Sequence, residues 1–126
     1  MSPTETVLAI IELGGYPDFA PLYRASGYQV VVENSMRKAL NYLKRHEPAI
    51  IVAEFNYQSS FRDRLSSLES LIAVAQRKPS IKIIVFYEKE YQHQFKRLQA
   101  QYAFFDAMVL PIDSRRLADS LQRAAN

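Results

Sequence analysis

Two acids stand where an apolar run gives out. Glu12 follows "TVLAII" and Glu54 follows "PAIIVA". An acid at such a place could serve as a catalytic group if the runs are strands that open on a working edge. Other chemistry is thinly represented. His46 and His93 are the only histidines, in separate predicted helices and without zinc-ligand spacing, so no metal site is expected. Cysteine is absent, which excludes disulfides and thiol catalysis. No Gly-x-Ser-x-Gly nucleophile elbow occurs. Gly14-Gly15 could let a phosphate approach the backbone, but the fuller phosphate-binding patterns are missing. A tight strand-to-helix turn is the expected role of that pair.

The elements that would position these residues can be read from periodicity. Five short runs rich in Val and Ile read as strands: residues 6–13, 28–34, 49–55, 81–88 and 106–112. Most are continuous rather than alternating, as in a parallel sheet covered on both faces. Helical spacing fills the intervals. Pro17 is placed to open a helix carrying Phe19, Leu22 and Tyr23, with Gly27 to stop it. Ser35 can cap a helix with Met36, Ala39, Leu40 and Leu43 inward. Ser66 and Glu69 have capping-box spacing ahead of Leu68, Leu71, Ile72 and Ala75. Tyr91, Phe95, Leu98 and Tyr102 share a helix face. Asp113 or Ser114 can cap a last helix holding Leu117 and Leu121. Five strand-then-helix repeats with right-handed crossovers give one parallel sheet between two helical layers. The residues at the strand ends, Glu12, Asn34, Glu54, Tyr87 and Leu110, then mark the functional edge.

The chain of 126 residues suits a single domain over 1–126. Its 48% apolar and 23% charged residues are those of a globular protein rather than a disordered one. No apolar stretch approaches the ~18 residues that span a bilayer. "MSPTET" lacks a signal peptide's pattern, so a cytoplasmic protein without membrane contact is expected. The net charge of +3 comes from scattered basic pairs, not from the dense stripe of a nucleic-acid binder, and direct nucleic-acid binding is not expected. "LQRAAN" could be a natural end or the edge of a longer regulator.

Three segments resemble the receiver domain of response regulators over nearly the whole chain: "PAIIVAEF", "SIKIIVFYE" and "FDAMVLPID". The resemblance implies a flavodoxin-like three-layer α/β fold, with five parallel strands in the order 2-1-3-4-5 and five helices. It also implies roles that this sequence departs from. The acidic pair that holds magnesium falls on Ile11 and Glu12. The phosphoacceptor aspartate falls on Glu54, the phosphoryl-binding hydroxyl on Tyr87, the aromatic switch on Ala107 and the pairing lysine on Leu110. Pro111, which follows that lysine and is commonly joined by a cis peptide, is kept.

Phosphoryl transfer needs an in-line nucleophile and cations on the oxygens. Glu54 is one methylene too long, Leu110 carries no charge, and Ile11 removes a hard oxygen ligand that magnesium requires. We therefore expect a degenerate receiver: no catalytic residue, no cofactor, and signalling through protein contacts. Glu54 reads either as a mimic of the phosphorylated residue or, the reading favoured by the sequence, as an exposed acid at a strand end. Tyr87 is expected to fill the volume left by Ala107. The expected contact face, for a partner or a second copy, is the fourth helix, fifth strand and fifth helix, with Lys89, Tyr91, Phe95, Lys96, Arg97, Leu98, Arg115, Arg116, Asp119 and Arg123. Two alternatives remain open: a phosphorylatable receiver with unusual residues, and a small-ligand or nucleotide sensor in the strand-end crevice beside Gly14-Gly15.

Overall fold

The computed structural model describes residues 5–56 and 67–125. Strands β1 (Thr6–Ile10), β2 (Gln29–Glu33), β3 (Ile50–Phe55), β4 (Lys82–Tyr87) and β5 (Asp106–Val109) form one sheet. Its order is β2-β1-β3-β4-β5, and every pairing is parallel. Helices α1 (Ala20–Ala25), α2 (Met36–Leu43), α3 (Ser67–Ala75), α4 (Gln92–Gln101) and α5 (Ser114–Ala124) connect and follow the strands. A short 3-10 turn, Lys89–Tyr91, leads into α4. None of the described helices is long and apolar enough to cross a membrane.

The continuous apolar runs have the cause expected of them. All six residues of the central strand β3 are buried, because side chains pointing either way meet a helical layer. On one face Leu8, Ile10, Ile51, Ala53 and Val85 pack with Ala39, Leu43, Leu68, Leu71, Phe95 and Leu98 from α2, α3 and α4. On the other, Val7, Ala9, Val52, Ile84 and Phe86 pack with Tyr23, Leu117 and Leu121 from α1 and α5. The edge strand β2 is only partly covered, and Val32 is exposed.

Local capping signals place the starts of α2 and α5. Ser35 Oγ accepts from the Lys38 N–H at 3.2 Å, and Asp113 Oδ1 accepts from the Arg115 N–H at 2.9 Å. The Ser66 cap lies outside the described residues, although Leu68, Leu71, Ile72 and Ala75 are all buried as their spacing predicts.

Three expectations need correction. The first helix starts at Ala20, so Pro21 rather than Pro17 occupies its first turn, and Asp18 Oδ1 accepts from the Ala20 N–H. The segment before it is drawn instead over the end of β3. β1 stops at Ile10, which leaves Glu12 in the following loop. Phe95 and Leu98 are 0% and 7% exposed, so they belong to the core and cannot form part of an outer contact face.

Candidate functional site

Glu54, the fifth of six residues in β3, is only 4% exposed. This overturns its reading as a solvated acid. A buried carboxylate must be matched by donors, and among the described residues four converge on it. Oε1 accepts from the Leu13 N–H at 2.9 Å and from Asn56 Nδ2 at 3.1 Å. Oε2 accepts from the Gly14 N–H at 3.2 Å and from the Tyr16 hydroxyl at 2.6 Å. The last distance is that of a charge-assisted O–H···O⁻ bond.

The β1–α1 loop supplies three of these donors, and its sequence explains how. Gly14 and Gly15 have φ of 66° and 84°, which other residues rarely adopt. The pair turns the chain so that successive amides face the carboxylate. The turn expected of Gly14-Gly15 is therefore present, and the group it lets approach is a carboxylate of the same chain. Tyr16 is held by its ring, which stacks on Phe19 at 6.1 Å and meets Phe86 edge-on at 5.3 Å. Burial first, then the hydrogen bond and negative charge of Glu54, push the Tyr16 phenol well above its ordinary range, so it stays a donor.

The surroundings are apolar. Ile11, Tyr16, Leu110 and Ile112 pack against the core on the α1 and α5 side. Among the described residues, no group of three metal-ligating side chains occurs. Each Glu54 oxygen accepts two bonds from protein donors among the described residues, and the Ile11 side chain adds no oxygen. These residues do not fit magnesium. An open cleft of about 580 Å³ borders the site, lined by Gly14–Pro17, Glu88–Glu90 and Leu110–Ile112.

Tyr87, at the end of β4, is half-buried and stacks on Phe95 with ring centroids 4.7 Å apart. Phe95 in turn stacks on Phe104 at 5.6 Å. Ala107 packs against the same cluster as Tyr87. Leu110-Pro111 is a cis peptide.

The chain resembles many solved structures in shape. It matches a response-regulator receiver domain protein from Clostridium thermocellum with a TM-score of 0.75 at 15% identity, covering 95% of this chain and 93% of that one. It matches a chemotaxis response regulator of Vibrio cholerae with a TM-score of 0.73 at 20% identity, covering 97% and 99%. NtrX from Brucella abortus matches with a TM-score of 0.73 at 14% identity, over 98% of this chain but 27% of that one. The fold is that of a receiver domain. No family model and no curated protein sequence matches the chain.

Within that receiver frame, Glu54, Tyr87 and Leu110-Pro111 occupy the sheet edge where the sequence places them. Glu12 is half-buried in the β1–α1 loop. Lys89, Lys96, Arg97, Arg115, Arg116, Asp119 and Arg123 are exposed on or beside α4 and α5, with Tyr91 half-buried.

Sequence reasoning missed Tyr16, Asn56 and the Leu13 and Gly14 amides as partners of Glu54. It also missed Asp106 as a hub. Asp106 accepts from Arg116 at 3.0 Å and from Arg123 at 2.9 Å, and Arg123 also pairs with Asp119 at 3.0 Å. The Arg123 guanidinium lies over Phe105 at 5.7 Å. Burial opposes ionisation of Asp106. The Ser120 hydroxyl (near the carboxyl but short of full hydrogen-bond geometry), the Ala107 N–H and both arginines outweigh it and hold the carboxyl below its usual range.

Proposed function

We propose that this chain is a degenerate receiver: a non-catalytic signalling module that works through protein contacts and without phosphorylation of Glu54. The observation that carries this reading is the set of four donors already closed around the Glu54 carboxylate. A phosphoacceptor must present a free oxygen to the incoming phosphorus and share the site with a cation. Here the acid is covered by its own loop, Leu110 stands where the pairing lysine would, and Ile11 supplies no ligand. Stacking of Tyr87 on Phe95 supports a fixed arrangement on α4, in place of a switch that alternates between two positions.

The contact face we propose comprises α4, β5 and α5. Arg116 and Arg123 are engaged with Asp106, so the outward charge falls mainly on Lys89, Lys96, Arg97 and Arg115. A polar interface of this kind suits a partner with complementary acids, or a second copy using Glu88 and Glu90. That one of the matched folds forms 27% of a longer chain supports an output domain as a further candidate partner.

Incubation with acetyl phosphate and magnesium, followed by intact-mass measurement, tests the central point. We expect no phosphoryl adduct; an adduct mapped to Glu54 contradicts the proposal. The cleft beside Gly14-Gly15 favours a second reading, a small-ligand sensor, for which a thermal-shift screen of nucleotides and flavins is the direct test.

A further inference from the structure

The donors around Glu54 form a coherent receptor. Among the described residues, two backbone amides, a phenol and a primary amide converge on two oxygens, and no cation is among these donors. Amides on consecutive residues with a left-handed turn make a concavity suited to an anion. The set matches a singly charged, planar carboxylate: two donors for each oxygen. We propose that the β1–α1 loop is a carboxylate receptor whose ligand is supplied in cis by Glu54, so that this side chain is a latch setting the shape of the loop. This deepens the reading above by naming how the strand-end site is controlled.

The latch has a structural reach beyond the carboxylate. Leu13, whose amide it holds, is turned outward and is 73% exposed. Gly14, Gly15, Tyr16 and Pro17 form one wall of the adjoining cleft. Releasing Glu54 would free both the displayed leucine and that wall. The group that organises the loop is covalently part of β3, so the loop is set without a signal at this site.

Glu54→Ala removes one carbon and a carboxylate, the atoms of acetate, and the cleft beside Gly14 and Tyr16 gives acetate a route in. We expect the variant to melt at lower temperature and to shift the backbone amide resonances of Leu13 and Gly14. Acetate should return those resonances toward their original positions in a saturable manner and raise the melting temperature of the variant more than that of the unaltered protein. Chloride at equal ionic strength should not. Unmoved Leu13 and Gly14 resonances in the variant, or equal effects of acetate on both proteins, would overturn the proposal. Should Glu54→Ala fail to fold, Glu54→Gln keeps the volume but turns one acceptor into a donor. Faster hydrogen exchange at Leu13 or Gly14 is then expected, and unchanged exchange contradicts the latch. No magnesium or phosphoryl donor enters this test, so its failure leaves the proposed independence from phosphorylation standing.

Discussion

One methylene decides what Glu54 can do. The glutamate reaches beyond the strand end to the amides of Leu13 and Gly14, where a shorter acid on the same Cα would fall short of both. Glu54→Asp should therefore weaken the loop contacts although the charge is kept. Tyr16→Phe isolates one contact, because the ring stays packed on Phe19 and Phe86 while the hydroxyl is lost. A hydrogen bond to a charged group contributes about 1.5–3 kcal/mol, and we expect urea unfolding to show a loss of that size. Asp106 provides a separate residue-scale test. Its carboxyl is held below the ordinary value of 3.8, so the stability it contributes is present above that pH and is lost as pH falls through its lower folded value. Asp106→Asn should flatten the part of the melting-temperature profile below pH 3.8; an unchanged acid limb would show that other carboxylates govern it.

Among the elements, the inner strands β1, β3 and β4 were legible because burial on both faces forces continuous apolar runs, and β2 and β5 were legible from their β-branched and apolar residues. Ser35 and Asp113 were legible as caps because each acts on its own helix. The start of α1 was not. Pro17 has the chemistry of a first helical turn, but the segment from Leu13 to Tyr16 is tied to a residue about forty positions away, and no local pattern reports that tie. The burial of Glu54 was illegible for the same reason: three of its four described donors come from the β1–α1 loop, and two of those are backbone amides that carry no side-chain signal. Phe95 and Leu98 share a stripe with Tyr91 and Tyr102, and spacing alone could not divide core from surface along it. Phe95 contacts Tyr87, Phe104 and Phe55, which makes it the pin between α4 and the sheet. Phe95→Ala should cost about 3–5 kcal/mol by unfolding. Tyr87→Ala should cost less, since its ring is half-buried, while altering the chemical shifts of α4 residues. A Tyr87 variant that leaves α4 shifts unchanged would remove this residue from the fixing of that helix.

Across the whole molecule, the receiver fold leaves its strand-end edge and its α4, β5 and α5 face available for different purposes. At the edge, an acid has been enclosed by donors of the chain itself. On the face, ion pairs to Asp106 stiffen the attachment of α5 to β5, and the remaining basic side chains point outward. If that face pairs two copies, light scattering after gel filtration should show a mass that rises with concentration, and Arg97→Glu together with Arg115→Glu should abolish the rise. A monomer at every concentration would assign the face to a different partner. Beryllofluoride with magnesium probes the closed strand-end edge itself, because it imitates a phosphoryl group without requiring transfer. In a titration followed by amide resonances, the closed Glu54 site predicts no saturable shifts at Glu12, Leu13, Gly14 or Glu54; saturable shifts centred on Glu54 and Glu12 would contradict it.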